Sequence, residues 1–147
     1  MSQPHPEKPK VVFICLGNSC RSLMAEALAR HLWGDVLVAA SAGISPLGRV
    51  PRETLQVLAE IGVSTQGLHS KGLEEIDFKE CRLLVNLTEY SLTALVPEAH
   101  WAKLLDRPLP DPYGGGLDLY RETREAVRRL LVEELGGMLG IQGYHTR

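Results

Sequence analysis

Cys15 and Arg21 stand six positions apart in the stretch VVFICLGNSCRSLMAEALARHLWG, from Val11 to Gly34. An apolar run delivers the cysteine, a short polar loop follows, and the arginine closes that loop just ahead of an apolar-periodic segment. Between them Gly17 is free to take a positive φ, and Asn18 is one of the few other residue types that tolerates it. A loop of this kind turns successive backbone N–H groups inward. Joined to the positive end of a helix that begins near Ser22, such a nest holds an oxyanion the size of phosphate. Arg21 adds a planar fork that matches two oxyanion oxygens. The same positive surroundings favour the thiolate of Cys15, which is the nucleophilic form of sulfur. The chemistry these residues predict is attack by Cys15 on a bound oxyanion. A Walker loop is excluded, because no Gly-Lys-Ser/Thr stands at the helix start.

The elements that must position this loop are legible from periodicity. Val11–Cys15 is continuously apolar, as in a strand covered on both faces. From Ser22 the residues Met24, Ala27, Leu28 and Leu32 recur at helical spacing, and Gly34 supplies a stop. Val36–Ala40 reads as a second strand. The segment RVPRETLQVLAEIG reads as a helix with Pro51 in its first turn, a stripe of Leu55, Leu58 and Ile61, and a stop at Gly62. Arg82–Leu87 is a third strand, Thr88 caps a short helix running through Leu95, and Pro97 ends it. Lys103–Asp106 is a short fourth strand. A last helix is capped by Asp118, buries Tyr120, Val127, Leu130 and Leu131, and stops at Gly136.

Alternating β and α elements predict an α/β fold: a single-domain, doubly wound (Rossmann-like) sheet of about four parallel strands with helices on both faces. Residues 1–10 are expected to be a flexible N-terminal segment, 11–136 the α/β domain and 137–147 a C-terminal tail. Ligands bind such sheets beyond the carboxyl ends of the strands, which is where Cys15 lies.

Composition narrows the partners. With 147 residues, 44% of them apolar, the chain can bury one core without staples. A formal net charge of −2 gives no footprint for nucleic acid or an anionic membrane. Three cysteines, a polar start without a charged-then-apolar leader and no run of membrane-spanning length point to a cytoplasmic protein with reduced thiols. His5, His31, His69, His100 and His145 match no ligand spacing and read as structural or surface groups, so neither metal nor cofactor is expected.

The spacing Cys15-Leu-Gly-Asn-Ser-Cys-Arg21-Ser22, with SAGISPLG and LPDPYGG further along, resembles low-molecular-weight protein tyrosine phosphatases and the arsenate reductases that share their fold. The resemblance runs from Val11 to about Leu135. It implies that Cys15 takes the phosphoryl group, with Arg21 clamping the oxygens and the loop Leu16, Gly17, Asn18, Ser19 and Cys20 cradling them. By the same resemblance Ser22 hydrogen-bonds the thiolate, and Asn18 holds the loop in shape. Asp111 is implied as the general acid and then base. Leu16, Leu47 and Tyr113 would line the cleft, with leucine where tyrosine phosphatases often carry a second aromatic wall.

The implied function is hydrolysis of phosphotyrosine or other aryl phosphates through a cysteinyl phosphate. The substrate is then a phosphorylated protein or a small aryl phosphate, with inorganic phosphate as product and inhibitor and a monomer or weak homodimer as the acting form. Two alternatives stay open: arsenate reduction through the same loop, and a non-catalytic phosphate-binding module. The reductases pass oxidation to cysteines after the third strand, where this chain reads Asn86-Leu87-Thr88-Glu89-Tyr90. Cys81 falls at the far end of that strand and reads as core. Cys20 has two readings, as a packing residue or as a thiol that traps oxidised Cys15 in a disulfide and makes the enzyme redox-sensitive.

Overall fold

A computed structural model describes residues 8–141. Four parallel strands, β1 Lys10–Cys15, β2 Val38–Gly43, β3 Cys81–Asn86 and β4 Leu104–Asp106, form one sheet in the order β2-β1-β3-β4. Helix α1 spans Arg21–Trp33, α2 Arg52–Ala59 and α3 Leu117–Leu130. The strand order reverses direction between β1 and β3, so a crevice opens beyond the carboxyl ends of these two strands. Cys15 ends β1 at that crevice.

Alternation along β1 divides the core. Val11, Phe13 and Cys15 face Met24 and Leu28 of α1, Val57 and Leu58 of α2, and Tyr120 and Val127 of α3. Val12 and Ile14 face the opposite way, onto Leu84, Leu92 and Val96. The three α-helices therefore pack on one face. The other is covered largely by short 3-10 turns at Leu73–Glu75 and Phe78–Glu80 and by loop residues.

Several sequence-based boundaries move. Val36 and Leu37 are held in a turn by Trp33 O, so β2 begins at Val38 rather than Val36 and ends at Gly43. Strand β3 starts one residue earlier than expected, at Cys81, which is buried. The expected helix Thr88–Leu95 does not form. Asn86 and Thr88 bind the backbone locally, a competing option these residue types offer, and set a tight turn.

In α2 the buried positions are Thr54, Val57 and Leu58, while Ile61 is exposed beyond the helix end. Gly62 does end this helix, in the left-handed conformation, with its N–H on Ala59 O and that of Val63 on Leu58 O. Helix α3 is preceded by Gly116, not capped by Asp118, and buries Thr123 where Leu130 was expected. It also runs through Gly136: Leu131–Leu135 wind as a π-turn, Gly136–Met138 continue, and the left-handed stop is Gly140. Lys10, expected in the N-terminal segment, belongs to β1. Of the predicted terminal segments, residues 1–7 and 142–147, including His5 and His145, lie outside the described residues.

Candidate active site

The loop from Leu16 to Cys20 joins β1 to α1 and turns on one residue. Asn18 takes φ 45°, whereas Gly17 does not adopt a positive φ. The left-handed turn thus falls on asparagine, and Gly17 is small for space: a Cβ there would meet Ser19 Oγ at 3.2 Å. Asn18 is fully buried, and its amide makes four bonds. Its Nδ2 donates to Ser22 Oγ at 2.8 Å and Ser41 Oγ at 2.9 Å. Its Oδ1 accepts from the Lys71 backbone N–H at 2.9 Å and from Lys71 Nζ at 3.4 Å.

Cys15 Sγ lies 2.8 Å from Ser22 Oγ. Because Asn18 Nδ2 can only donate, Ser22 accepts that bond and keeps its own proton for the sulfur. Both side chains are buried at the base of the loop.

Arg21, 6% exposed, is pinned by one nitrogen: Nη1 donates to Leu87 O at 3.1 Å and to Leu109 O at 2.9 Å. Its Nη2 stands 3.6 Å from Asp111 Oδ2, and its buried Nε has no partner among the described residues. A buried donor without an acceptor costs about 1–3 kcal/mol. The Nε–Nη2 edge is therefore the face of the fork left to grip a bidentate oxyanion.

Asp111 performs two jobs with two oxygens. Oδ1 accepts from the Tyr113 backbone N–H at 3.1 Å, which makes it a turn former, while Oδ2 faces Arg21. Asp111 is thus brought to the Cys15 end of the sheet from a loop some ninety residues downstream. Leu47 N–H bonds Gly17 O at 2.8 Å, and the Tyr113 hydroxyl accepts from Arg49 Nη2 at 3.1 Å. Leu16, Leu47 and Tyr113 are all exposed.

Ser19 O accepts from Thr54 Oγ1 at 2.8 Å, which ties α2 to the loop. Cys20 Sγ is directed to the Tyr120 hydroxyl, 3.6 Å away, and burial pushes both the thiol and the phenol upward in pKa. Cys15, Cys20 and Cys81 are all free thiols. Cys81 pairs in register with Lys10, about 16 Å from Cys15 at ~3.3 Å per residue. His69 Nδ1 contacts Gly67 O, His100 stacks on Phe78, and His31 is exposed on α1.

Sequence reasoning missed the supports. Glu26, 4% exposed in the middle of α1, receives Ser41 Oγ at 2.6 Å and ion-pairs with Arg30 at 2.5 Å and Lys71 at 3.4 Å. Lys71 Nζ also reaches Ser41 Oγ and His69 O. Ser70 Oγ donates to Gly17 O at 2.9 Å. Gly43 lies so close that a Cβ would sit 2.8 Å from Asn18 N and 2.9 Å from Leu16 O. An acid inside an apolar helix face and a serine inside a buried strand were the available signals for Glu26 and Ser41. Nothing local marks Lys71, whose role depends on how the chain between α2 and β3 returns to the loop.

Comparison with known proteins fits this geometry. The family described as "Low molecular weight phosphotyrosine protein phosphatase" matches residues 10–136. A glutaredoxin arsenate reductase of Synechocystis sp. is 30% identical over 120 residues, covering 81% of this chain and 90% of its own. A protein-arginine-phosphatase of Bacillus subtilis is 28% identical over 143 residues, covering 82% and 91%. Among solved structures, a low molecular weight protein tyrosine phosphatase from T. tengcongensis superposes with TM-score 0.76 at 29% identity, covering 88% of this chain and 99% of that one. Relatives on this scaffold thus carry phosphatase and reductase names alike.

Proposed function

Since the chain belongs to the low molecular weight phosphotyrosine protein phosphatase family, we propose that it hydrolyses phosphotyrosine or other aryl phosphates through a cysteinyl phosphate. The observation that carries this reading is the convergence of Cys15 Sγ on Ser22, the partnerless Nε of Arg21, and Asp111 3.6 Å from Nη2 of the same guanidinium. A binding module needs the cradle but neither the nucleophile nor the acid.

The steps balance as follows. The Cys15 thiolate attacks phosphorus and the ester P–O bond breaks, with its electron pair leaving on the aryl oxygen. Asp111 delivers a proton to that oxygen, so the phenol departs neutral. The resulting Asp111 carboxylate then takes a proton from water as the water oxygen attacks phosphorus. The S–P bond breaks, Cys15 returns as thiolate steadied by the Ser22 hydroxyl, and phosphate leaves. Throughout, the loop N–H groups and Arg21 face the equatorial oxygens and stabilise charge where it develops.

Arsenate reduction is the second reading, favoured by the name of the Synechocystis relative. The placement of Cys81 at the opposite end of β3 and of Cys20 against Tyr120 supports hydrolysis over an internal thiol relay. One experiment separates the readings: p-nitrophenyl phosphate turnover in chelator, and arsenate-dependent consumption of thiol, each on wild type and on Cys15→Ser. Hydrolysis predicts turnover lost in the variant and little thiol consumption. Thiol consumption without phosphate ester turnover would establish the reductase instead.

A further inference from the structure

Beside the phosphate cradle, and sharing Arg21 and Asp111 with it, lies a hollow of about 560 Å³ whose far wall, Thr88–Tyr90, has no part in the chemistry above. It is lined by Leu16 and Arg21 on the cradle side, Thr88, Glu89 and Tyr90 from the turn after β3, and Pro108–Asp111 from the acid's loop. The turn that presents Glu89 and Tyr90 is built rigidly. Asn86 Oδ1 accepts from the Thr88 N–H at 3.0 Å and its hydroxyl at 2.7 Å, and Asn86 Nδ2 donates to Tyr90 O at 2.6 Å and Asp106 Oδ1 at 3.0 Å. Asn86 and Thr88 are 1% and 2% exposed. Two buried polar residues thus hold a turn whose next two side chains, Glu89 and Tyr90, stand in solvent.

The charges of the hollow are one-sided once phosphate is bound. Arg21 is then committed to two carbonyls and the oxyanion, and the lining otherwise holds two carboxyl groups, Glu89 and Asp111, and no second basic side chain. No hydrogen bond or ion pair engages the Glu89 carboxylate among the described residues. Tyr90 adds an exposed aromatic face, which attracts a guanidinium or ammonium group as well. Leu47 and Tyr113, the walls proposed for the ring of a phosphotyrosine, do not line this hollow.

We propose that this hollow is a subsite for a basic side chain, Arg or Lys, that neighbours the phosphorylated residue in a protein substrate, with Glu89 as its selecting residue. The proposal rests on the phosphate-ester reading of the cradle and adds the sequence context that the site selects. An exposed carboxylate acts through a partly screened field, so the preference is modest and falls with ionic strength.

The test uses phosphotyrosine peptides identical except for Arg or Glu on either side of the phosphotyrosine. Affinity for the Cys15→Ser protein is measured by calorimetry at low and high salt, so the answer does not depend on turnover. The Arg peptides should bind about two- to five-fold tighter than the Glu peptides. Glu89→Gln should remove most of that ratio and Glu89→Lys should invert it, whereas Tyr90→Ala should reduce it. A ratio indifferent to Glu89, or a preference for the Glu peptides in wild type, overturns the subsite. Failure of the phosphatase reading would look different: no turnover of p-nitrophenyl phosphate by wild type, whatever the peptide ratios.

Discussion

In the proposed reaction Cys15, Arg21 and Asp111 serve as nucleophile, anion clamp and proton carrier, and each substitution should leave its own signature. Cys15→Ser is expected to abolish turnover while phosphate still binds. Asp111→Asn should slow hydrolysis of p-nitrophenyl phosphate by about 10²–10⁴-fold, the usual worth of a general acid, and Arg21→Lys should be severe because an ammonium cannot present two parallel donors. Steady-state kinetics with phosphate as competitive inhibitor reads all three; full activity in either of the first two would remove that residue from the mechanism. Cys15 and Arg21 were singled out by type and spacing within one loop, whereas Asp111, far downstream, was singled out only through the resemblance at Pro110-Asp111-Pro112-Tyr113. Asn18 was read as a shape-holder, and its left-handed φ and four side-chain bonds explain how. For Cys20 the geometry favours packing, since its sulfur faces Tyr120 and burial pushes the thiol pKa up, which disfavours attack on an oxidised Cys15. Peroxide followed by reductant should accordingly restore wild type and Cys20→Ser to similar extents; poor recovery of Cys20→Ser alone would assign it the trapping role.

The elements matter through what they bring back to the loop. Helix α1 supplies Ser22 and Glu26, β2 supplies Ser41 and Gly43, and the segment before β3 supplies Ser70 and Lys71. Lys71→Met should lower kcat and leave the Glu26 carboxylate short of a partner, with Lys71→Arg recovering part of the loss. Unchanged kcat in Lys71→Met would show that the backbone N–H of Lys71 alone holds Asn18. Gly43→Ala should be worse, because the added carbon meets backbone rather than a movable side chain; a cost of about 1–3 kcal/mol in thermal unfolding is expected. The strand–loop–helix unit around Cys15 was legible because apolar run, turn residues and helical period follow one another without conflict. The turn after β3 was not. Thr88 looked like a helix cap, but Asn86, the last residue of β3, captures its hydroxyl and turns the chain beside the hollow. Propensity could not reveal a partner chosen by tertiary geometry, and for the same reason Gly136, packed against Trp33, continues a helix it was expected to stop.

At the scale of the whole molecule, the packing of three α-helices on one sheet face sets the crevice and ties its parts together. Thr54 of α2 holds the loop at Ser19, and the end of α2 is strapped to α3 by Glu60, which pairs with Arg121 at 2.6 Å and Arg124 at 2.9 Å. The hydrogen bond from Arg121 is the main reason the Glu60 carboxyl is lowered to about 2. A carboxyl whose pKa is depressed on folding stabilises the native state above its unfolded value, and that contribution fades as the pH falls toward about 2. Wild type should therefore exceed Glu60→Gln in melting temperature at neutral pH, and the gap should close in acid. A gap independent of pH would contradict the assignment. Parallel topology followed from the β/α alternation, whereas the strand order and the concentration of α-helices on one face depend on side-chain partners that no periodicity encodes. The central claim, that this fold exists to form and break a bond between phosphorus and Cys15, is tested most directly by acid-quenching the Asp111→Asn variant during turnover of p-nitrophenyl phosphate and locating phosphate on the chain by mass spectrometry. The account predicts a phosphoryl group on the Cys15 sulfur, absent from the Cys15→Ser, Asp111→Asn double variant; continued turnover in the double variant, or phosphate on another residue in its place, would contradict it.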